Sequence, residues 1–105
     1  MTEIKETRYY TRWFKNLRDR EAHVRIHARI RRFAEDDNPG DHRDFGDVSE
    51  LRIHYGPGYR VYYTKYKGKI ILLLCGGDKS TQSKDIETAR DMARNLKEGK
   101  DDDRY

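Results

Sequence analysis

The sequence predicts an α+β domain: two N-terminal helices and a C-terminal helix packed on a mostly antiparallel sheet of four to five strands. Three observations carry this. Between Arg12 and Ala34 apolar residues recur at helical spacing. From Arg43 the period changes to two and holds through two tight turns. After Gly77 the helical spacing returns. The order is β-α-α-β-β-β-β-α, and late strands joined by tight turns must form antiparallel meanders. The helices are expected on one face of the sheet, because the apolar residues are too few to cover both.

The elements follow in turn. "EIKETR", residues 3–8, predicts a short first strand. Thr11 is the candidate cap of a helix beginning near Arg12, with Trp13, Phe14 and Leu17 as its apolar edge. "NLRDRE" breaks that pattern as a turn. In the second helix Ala22, Ile26, Ile30, Phe33 and Ala34 share a face, and Arg25, Arg29 and Arg32 fall mostly on another. "EDDNPGD" ends it, since Pro39 and Gly40 cannot continue a helix. A short strand is expected around Phe45, then a longer one over Ser49–Tyr55. "GPG" at 56–58 reverses the chain into a strand from Tyr59 to Thr64, and "KYKG" is the next turn. "KIILLLCGG" reads as a central strand ended by Gly76 and Gly77. Ser83 or Thr81 is the candidate cap of the last helix, with Ile86, Ala89, Ala93 and Leu96 on its apolar edge.

The chain has 105 residues, 40% charged and 34% hydrophobic. One domain is expected over 1–97, followed by an acidic, disordered tail over 98–105, "EGKDDDRY". Net charge is +4; without that tail 21 basic and 15 acidic residues remain, a body at +6. A basic body points to a polyanion or an acidic protein as partner, or to nothing more than a basic soluble domain. The single cysteine, Cys75, excludes an internal disulfide and sits in an apolar run, as a buried hydrophobe would. No Cys/His spacing suits a metal, and no cofactor is expected. The first ten residues lack a signal-peptide apolar stretch, and "IILLLC" is too short to span a bilayer. A cytoplasmic protein without a membrane partner is expected.

The strands around "GPG" carry the candidate site. Leu51, Ile53, Tyr55, Tyr59, Val61 and Tyr63 alternate toward the core. The other face carries Glu50, Arg52, His54, Arg60 and Tyr62, and Lys79 follows the central strand beside Asp78. Cations facing each other across a hairpin repel unless an anion sits among them. One reading is a cationic, aromatic-bearing surface for a phosphodiester backbone, with forked arginine donors and Tyr62 stacking on a base. The other is an exposed sheet face without a ligand, partly neutralised by Glu50 and Asp78.

"ELRIHYGPGYRVYY" followed by "LLLCGGDKSTQSKDIETARDMARNL" resembles the addiction-module killer proteins. These are small HigB-type toxins of the RelE/ParE superfamily of bacterial toxin–antitoxin systems. The resemblance spans roughly residues 3–97 and is most specific from Glu50 to Leu96. It implies a RelE-like fold and a metal-independent endoribonuclease that cuts translated mRNA in the ribosomal A site. The RNA 2′-OH attacks the adjacent phosphorus, leaving a 2′,3′-cyclic phosphate and a 5′-OH.

Such chemistry needs a base for the 2′-OH proton, cations for the pentacoordinate phosphorus and an acid for the leaving 5′-oxygen. By resemblance, Arg60 and Lys79 stabilise the transition-state charge and Arg52 positions the phosphate, all three also contacting RNA. His54 is the candidate general base or acid, or else a surface residue; imidazoles titrate near pH ~6.5 when unperturbed. His23, His27 and His42 are expected to be structural or superficial. RelE and some relatives carry a functional tyrosine, or an Asp-Tyr-His group, near the C-terminus; here none occurs in the matching stretch before Tyr105.

The resemblance also implies a cognate antitoxin, of the HigA-like helix-turn-helix kind, and contact with the ribosome and mRNA. Operator DNA would be bound only through the antitoxin. Arg18, Arg20, Arg25, Arg29 and Arg32 either bind ribosomal RNA or form a solvated face. Two other readings stand beside mRNA cleavage: a ParE-like inhibitor of DNA gyrase, and an inactive toxin that acts only in an operator-binding complex.

Overall fold

The apolar run Ile70–Leu74 serves two hydrophobic layers at once, and the fold is arranged around it. The computed structural model describes residues 1–98. Its elements are β1 (Glu3–Glu6), α1 (Arg8–Asn16), α2 (Arg20–Asp36), β2 (His42–Asp44), β3 (Ser49–Ile53), β4 (Tyr59–Tyr66), β5 (Ile70–Asp78), a 3₁₀ turn (Lys79–Thr81) and α3 (Gln82–Lys97). All but Glu98 of the expected acidic tail lies outside the described residues.

The five strands are ordered β1-β5-β4-β3-β2. β1 runs parallel to β5, and the other three pairings are antiparallel. The sheet is therefore mixed. No short turn constrains the direction of β1, because two helices and three strands separate it from β5 along the chain.

Helices cover both faces of the sheet, which corrects the expectation of one. α1 and α2 bury Tyr10, Ala22, Ile26 and Phe33 against Leu51, Val61, Tyr63, Ile71 and Leu73. On the opposite face α3 buries Ala89, Met92, Ala93 and Leu96 against Val48, Tyr62, Leu72 and Leu74. The second core sets Ala89 and Ala93 among larger side chains, Met92 and Leu96 on the helix and Val48, Tyr62, Leu72 and Leu74 on the sheet side. β5 supplies it by alternation, with Leu72 and Leu74 on this face and Ile71 and Leu73 on the other.

A register shift between Tyr62 and Tyr63 serves both layers. Tyr62 opposes Cys75 but Tyr63 opposes Leu73, which leaves Leu74 as the extra residue of a bulge. Beyond the bulge β5 continues through Gly76 and Gly77 to Asp78. The glycines do not end the strand; they make room on it. A Cβ on Gly76 would stand 2.3 Å from the Trp13 ring of α1, and one on Gly77 would stand 1.9 Å from Asp85 Oδ2 of α3.

Helix starts also differ from the sequence reading. Thr7, not Thr11, caps α1: its buried Oγ1 accepts from Tyr10 N at 3.1 Å and donates to Leu74 O at 2.6 Å. Thr11 lies one turn inside. Asp19 caps α2 through the amides of Glu21 and Ala22. At the start of α3, Thr81 occupies the cap position without a side-chain bond, and Asp78 caps the 3₁₀ turn before it. β2 precedes Phe45 because the Phe45 amide already turns to Val48 O, at 2.8 Å. Among the described residues no helix is long and apolar enough to cross a membrane.

Candidate functional site

β3 and β4 pair so that Arg52 stands opposite Arg60 and Ile53 opposite Tyr59. The turn between them places Gly56 and Gly58 at positive φ, 57° and 80°, a conformation glycine adopts without steric cost. Gly58 must also stay small: a Cβ there would meet Lys79 Cβ at 3.4 Å and Arg60 Nη1 at 3.5 Å. Because Tyr59 pairs with Asp78, the end of β5 delivers Lys79 beside the hairpin turn.

Arg52, His54, Arg60 and Lys79 thus converge on one depression of about 390 Å³, closed at one end by the 55–58 turn. Larger hollows of about 780 and 660 Å³ border other parts of β4, and none of these four residues lines them. The four cationic positions chosen from the sequence share one surface, although they come from two strands, a strand end and a 3₁₀ turn.

They differ in exposure. Lys79 is exposed and Arg52 half-buried. Arg60 is only 3% exposed and forms the floor, its Nη1 donating to Gly58 O and Tyr59 O at 3.2 Å each. Glu50, wholly buried, approaches Arg52 Nε at 3.8 Å and Arg60 Nε at 3.9 Å. Its other oxygen accepts a 2.8 Å hydrogen bond from Gln82 Nε2 at the start of α3.

His54 is exposed at the rim, and its Nε2 bonds to Asp41 Oδ2. That bond holds the Asp41 carboxyl below the usual carboxylate range, helped by the charges of Arg52 and Arg29. An ionised carboxylate only accepts, so Nε2 is the donor of this bond and Nδ1 is the ring nitrogen left outside it. Arg29 sets this pair in place. Its Nη1 donates to Arg52 O at 2.6 Å, and its Nη2 to Pro39 O and Asp41 O at 2.7 Å. Arg29 is thus a strap binding the 39–41 loop to β3, not part of a solvated face.

Tyr62, the candidate stacking residue, is not on the open surface. It is fully buried beneath α3. Burial and the neighbouring Glu50 charge push its hydroxyl well above the ordinary tyrosine value, and no base can reach its ring. The correction follows from α3 covering that half of the sheet face. Tyr59 and Tyr63 are core residues as expected. Tyr55 packs partly against the same core and donates to Asp19 Oδ2 at 2.8 Å. Cys75 is mostly enclosed, and burial pushes its thiol up to about 12, as expected of an inert cysteine. His23 donates to Leu17 O at 2.6 Å and His42 to Gly40 O at 2.8 Å; both serve local structure.

Asp41 and Gln82 were not singled out from the sequence. Nothing local marks either, since each meets its partner only through folding. Glu50 did carry a signal, an acidic residue in the same strand and on the same face as Arg52 and His54. Among the described residues no cluster of His, Cys, Asp and Glu could hold a metal ion.

The model of the phage-derived Gp49-like protein family matches residues 12–97. An uncharacterized protein of Haemophilus influenzae is 44% identical over 95 residues, which cover 90% of this chain and 95% of that protein. A chain in the crystal structure of the intact E. coli RelBE toxin–antitoxin complex superimposes with a TM-score of 0.60. That match has 12% identity and covers 74% of this chain and 96% of that one, a likeness of fold. The family match spans most of the chain, and it includes every residue that lines the depression: this protein belongs to the phage-derived Gp49-like family.

Proposed function

We propose that this protein is the toxin of a type II toxin–antitoxin system, a HigB-type, ribosome-dependent mRNA endonuclease that inhibits translation. The observation that carries the reading is the convergence of Arg52, His54, Arg60 and Lys79 on one depression. The fold shared with a chain of the RelBE toxin–antitoxin complex supports it, as does the resemblance of residues 50–96 to addiction-module killer proteins.

The chemistry divides among the residues as follows. His54, with Nε2 held by Asp41, accepts the 2′-OH proton at Nδ1. The carboxylate orients the ring and stabilises the imidazolium that forms. The 2′-oxygen attacks the adjacent phosphorus, and the P–O5′ bond breaks as the leaving oxygen takes a proton from solvent water, leaving a 2′,3′-cyclic phosphate and a 5′-OH; the imidazolium then returns its proton to the hydroxide so formed. Arg52 positions the phosphate. Arg60, fixed in the floor, meets the charge on the pentacoordinate phosphorus, and the exposed ammonium of Lys79 meets the charge building toward the 5′-oxygen. Outside catalysis, the basic body suits ribosomal RNA and capture by a HigA-like helix-turn-helix antitoxin, which would supply the operator contacts of the complex.

A reconstituted translation reaction tests this. The wild type should cut the message within the A-site codon and leave 2′,3′-cyclic phosphate ends. His54→Ala and Lys79→Ala, both at exposed positions, should keep the fold and each lose about 100-fold or more in cleavage rate. Intact message together with failed gyrase supercoiling would replace this reading with gyrase inhibition. Intact message and harmless expression without the antitoxin would point to an inactive, complex-bound role.

A further inference from the structure

Arg52 and Arg60 face each other directly across β3 and β4. Like charges in that arrangement repel, and the burial of Arg60 raises the cost of leaving its charge uncompensated. Glu50 is the carboxylate that both approach. Its Oε1 lies at 3.8 Å from one Nε and 3.9 Å from the other. These separations are charge contacts rather than hydrogen bonds: Oε1 and both Nε atoms are buried without a hydrogen-bond partner. The remaining oxygen, Oε2, is held by Gln82 Nε2 at 2.8 Å. That bond fixes the rotation of the carboxylate and presents Oε1 to the two arginines together. Both arginines thus turn an Nε toward one carboxylate oxygen. Arg60 Nη1 is then tied to the turn that closes the depression.

We propose that Glu50 and Gln82 are positioning residues: a buried counter-ion, steered by the first residue of α3, holds Arg52 and Arg60 in the arrangement that receives the phosphate. The inference rests on the reading of the depression as an RNA-cleaving site, and concerns how its cations are held. α3 thereby has a second task besides covering the sheet. Its first turn sets the geometry of cations that lie on β3 and β4. Neither residue touches the substrate, so loss of either should lower the rate of the bond-breaking step more than binding of the ribosome.

The full-length protein carries the test, as wild type, Glu50→Gln and Gln82→Met. In ¹⁵N spectra of the free protein, the Arg52 and Arg60 Nε–H signals should shift or broaden in Gln82→Met. Backbone amides beyond the first turn of α3 should keep their wild-type positions. Single-turnover cleavage of a ribosome-bound message should fall about tenfold or more. The ribosome concentration giving half-maximal rate should change by less than about twofold. Glu50→Gln should show the larger loss. If that variant does not fold, Gln82→Met decides the matter, since Gln82 is only partly buried. Arginine signals that stay in place, or moved signals with an unchanged cleavage rate, overturn the proposal. If the wild type cuts no message, the RNA-cleavage reading falls, and unmoved or moved arginine signals alone then reject or retain the positioning claim.

Discussion

Asp41 and His54, 13 residues apart in the chain, share a hydrogen bond at the rim of the cationic depression. Neither lies in a regular strand. Asp41 belongs to a loop strapped to β3 by Arg29, and His54 begins the turn out of β3. Two irregular segments are thus brought together by one arginine from α2.

The pair predicts an acid-side stability change. The Asp41 carboxyl is depressed in the folded protein by its bond to His54, relative to an unfolded value of about 3.9. The contribution is therefore fully present above that unfolded value and is lost as pH falls through the lower folded one. Asp41→Asn should melt below the wild type at about pH 6, and the two curves should converge toward about pH 2. The difference should be small, because both side chains are exposed. Thermal melts across that range check it, and a gap that persists unchanged in acid would assign the loss to something other than this carboxylate.

Thr7 ties the start of α1 to the centre of the sheet. Its hydroxyl satisfies the Tyr10 amide and the Leu74 carbonyl at once, with no exposure to solvent. Thr7→Ala should cost about 1–2 kcal/mol in urea unfolding. Thr7→Ser should recover most of that, since it restores the oxygen; if serine does no better than alanine, the methyl packing matters more than the cap.

Gly76 lies under the Trp13 ring. Gly76→Ala should destabilise by about 1–3 kcal/mol through overpacking. Combining it with Trp13→Leu should cost less than the sum of the two single changes. Strict additivity in a double-mutant cycle would argue against the contact as the cause.

Tyr62→Phe separates packing from RNA contact. The hydroxyl is buried with no well-formed hydrogen bond, and the Glu50 charge lies close by. Removing it should leave stability unchanged or raise it by up to about 1 kcal/mol, with message cleavage unaltered. A cleavage defect in a well-folded Tyr62→Phe protein would restore the tyrosine to the reaction.

Much of the architecture was legible because it is local. The alternation in "ELRIHYGPGYRVYY" assigned Leu51, Ile53, Val61 and Tyr63 to one layer, where they are found. The glycines of the turn marked the reversal that sets Arg52 against Arg60. The misreadings share a cause. A strand pattern says which residues share a face but not what covers that face. Alternation puts Tyr62 and Glu50 on the face opposite Leu51 and Val61, and only the packing of α3 on that face buries them. The strand expected over residues 3–8 hides Thr7 as a cap, and its second bond, to Leu74, crosses 67 residues.

Periodicity and turn chemistry determined from sequence the elements, the hairpin and the candidate cations Arg52, His54, Arg60 and Lys79, since each depends on neighbours within a few residues. Folding alone decided that these four meet at one depression, that Asp41 stands beside His54, and that Glu50 and Gln82 lie beneath the arginines. The physical reason is that burial and pairing are relations between distant segments. Asp41 and Gln82 carry no mark in the sequence until packing brings them to His54 and Glu50, and the burial of Glu50 is decided only when α3 covers its face.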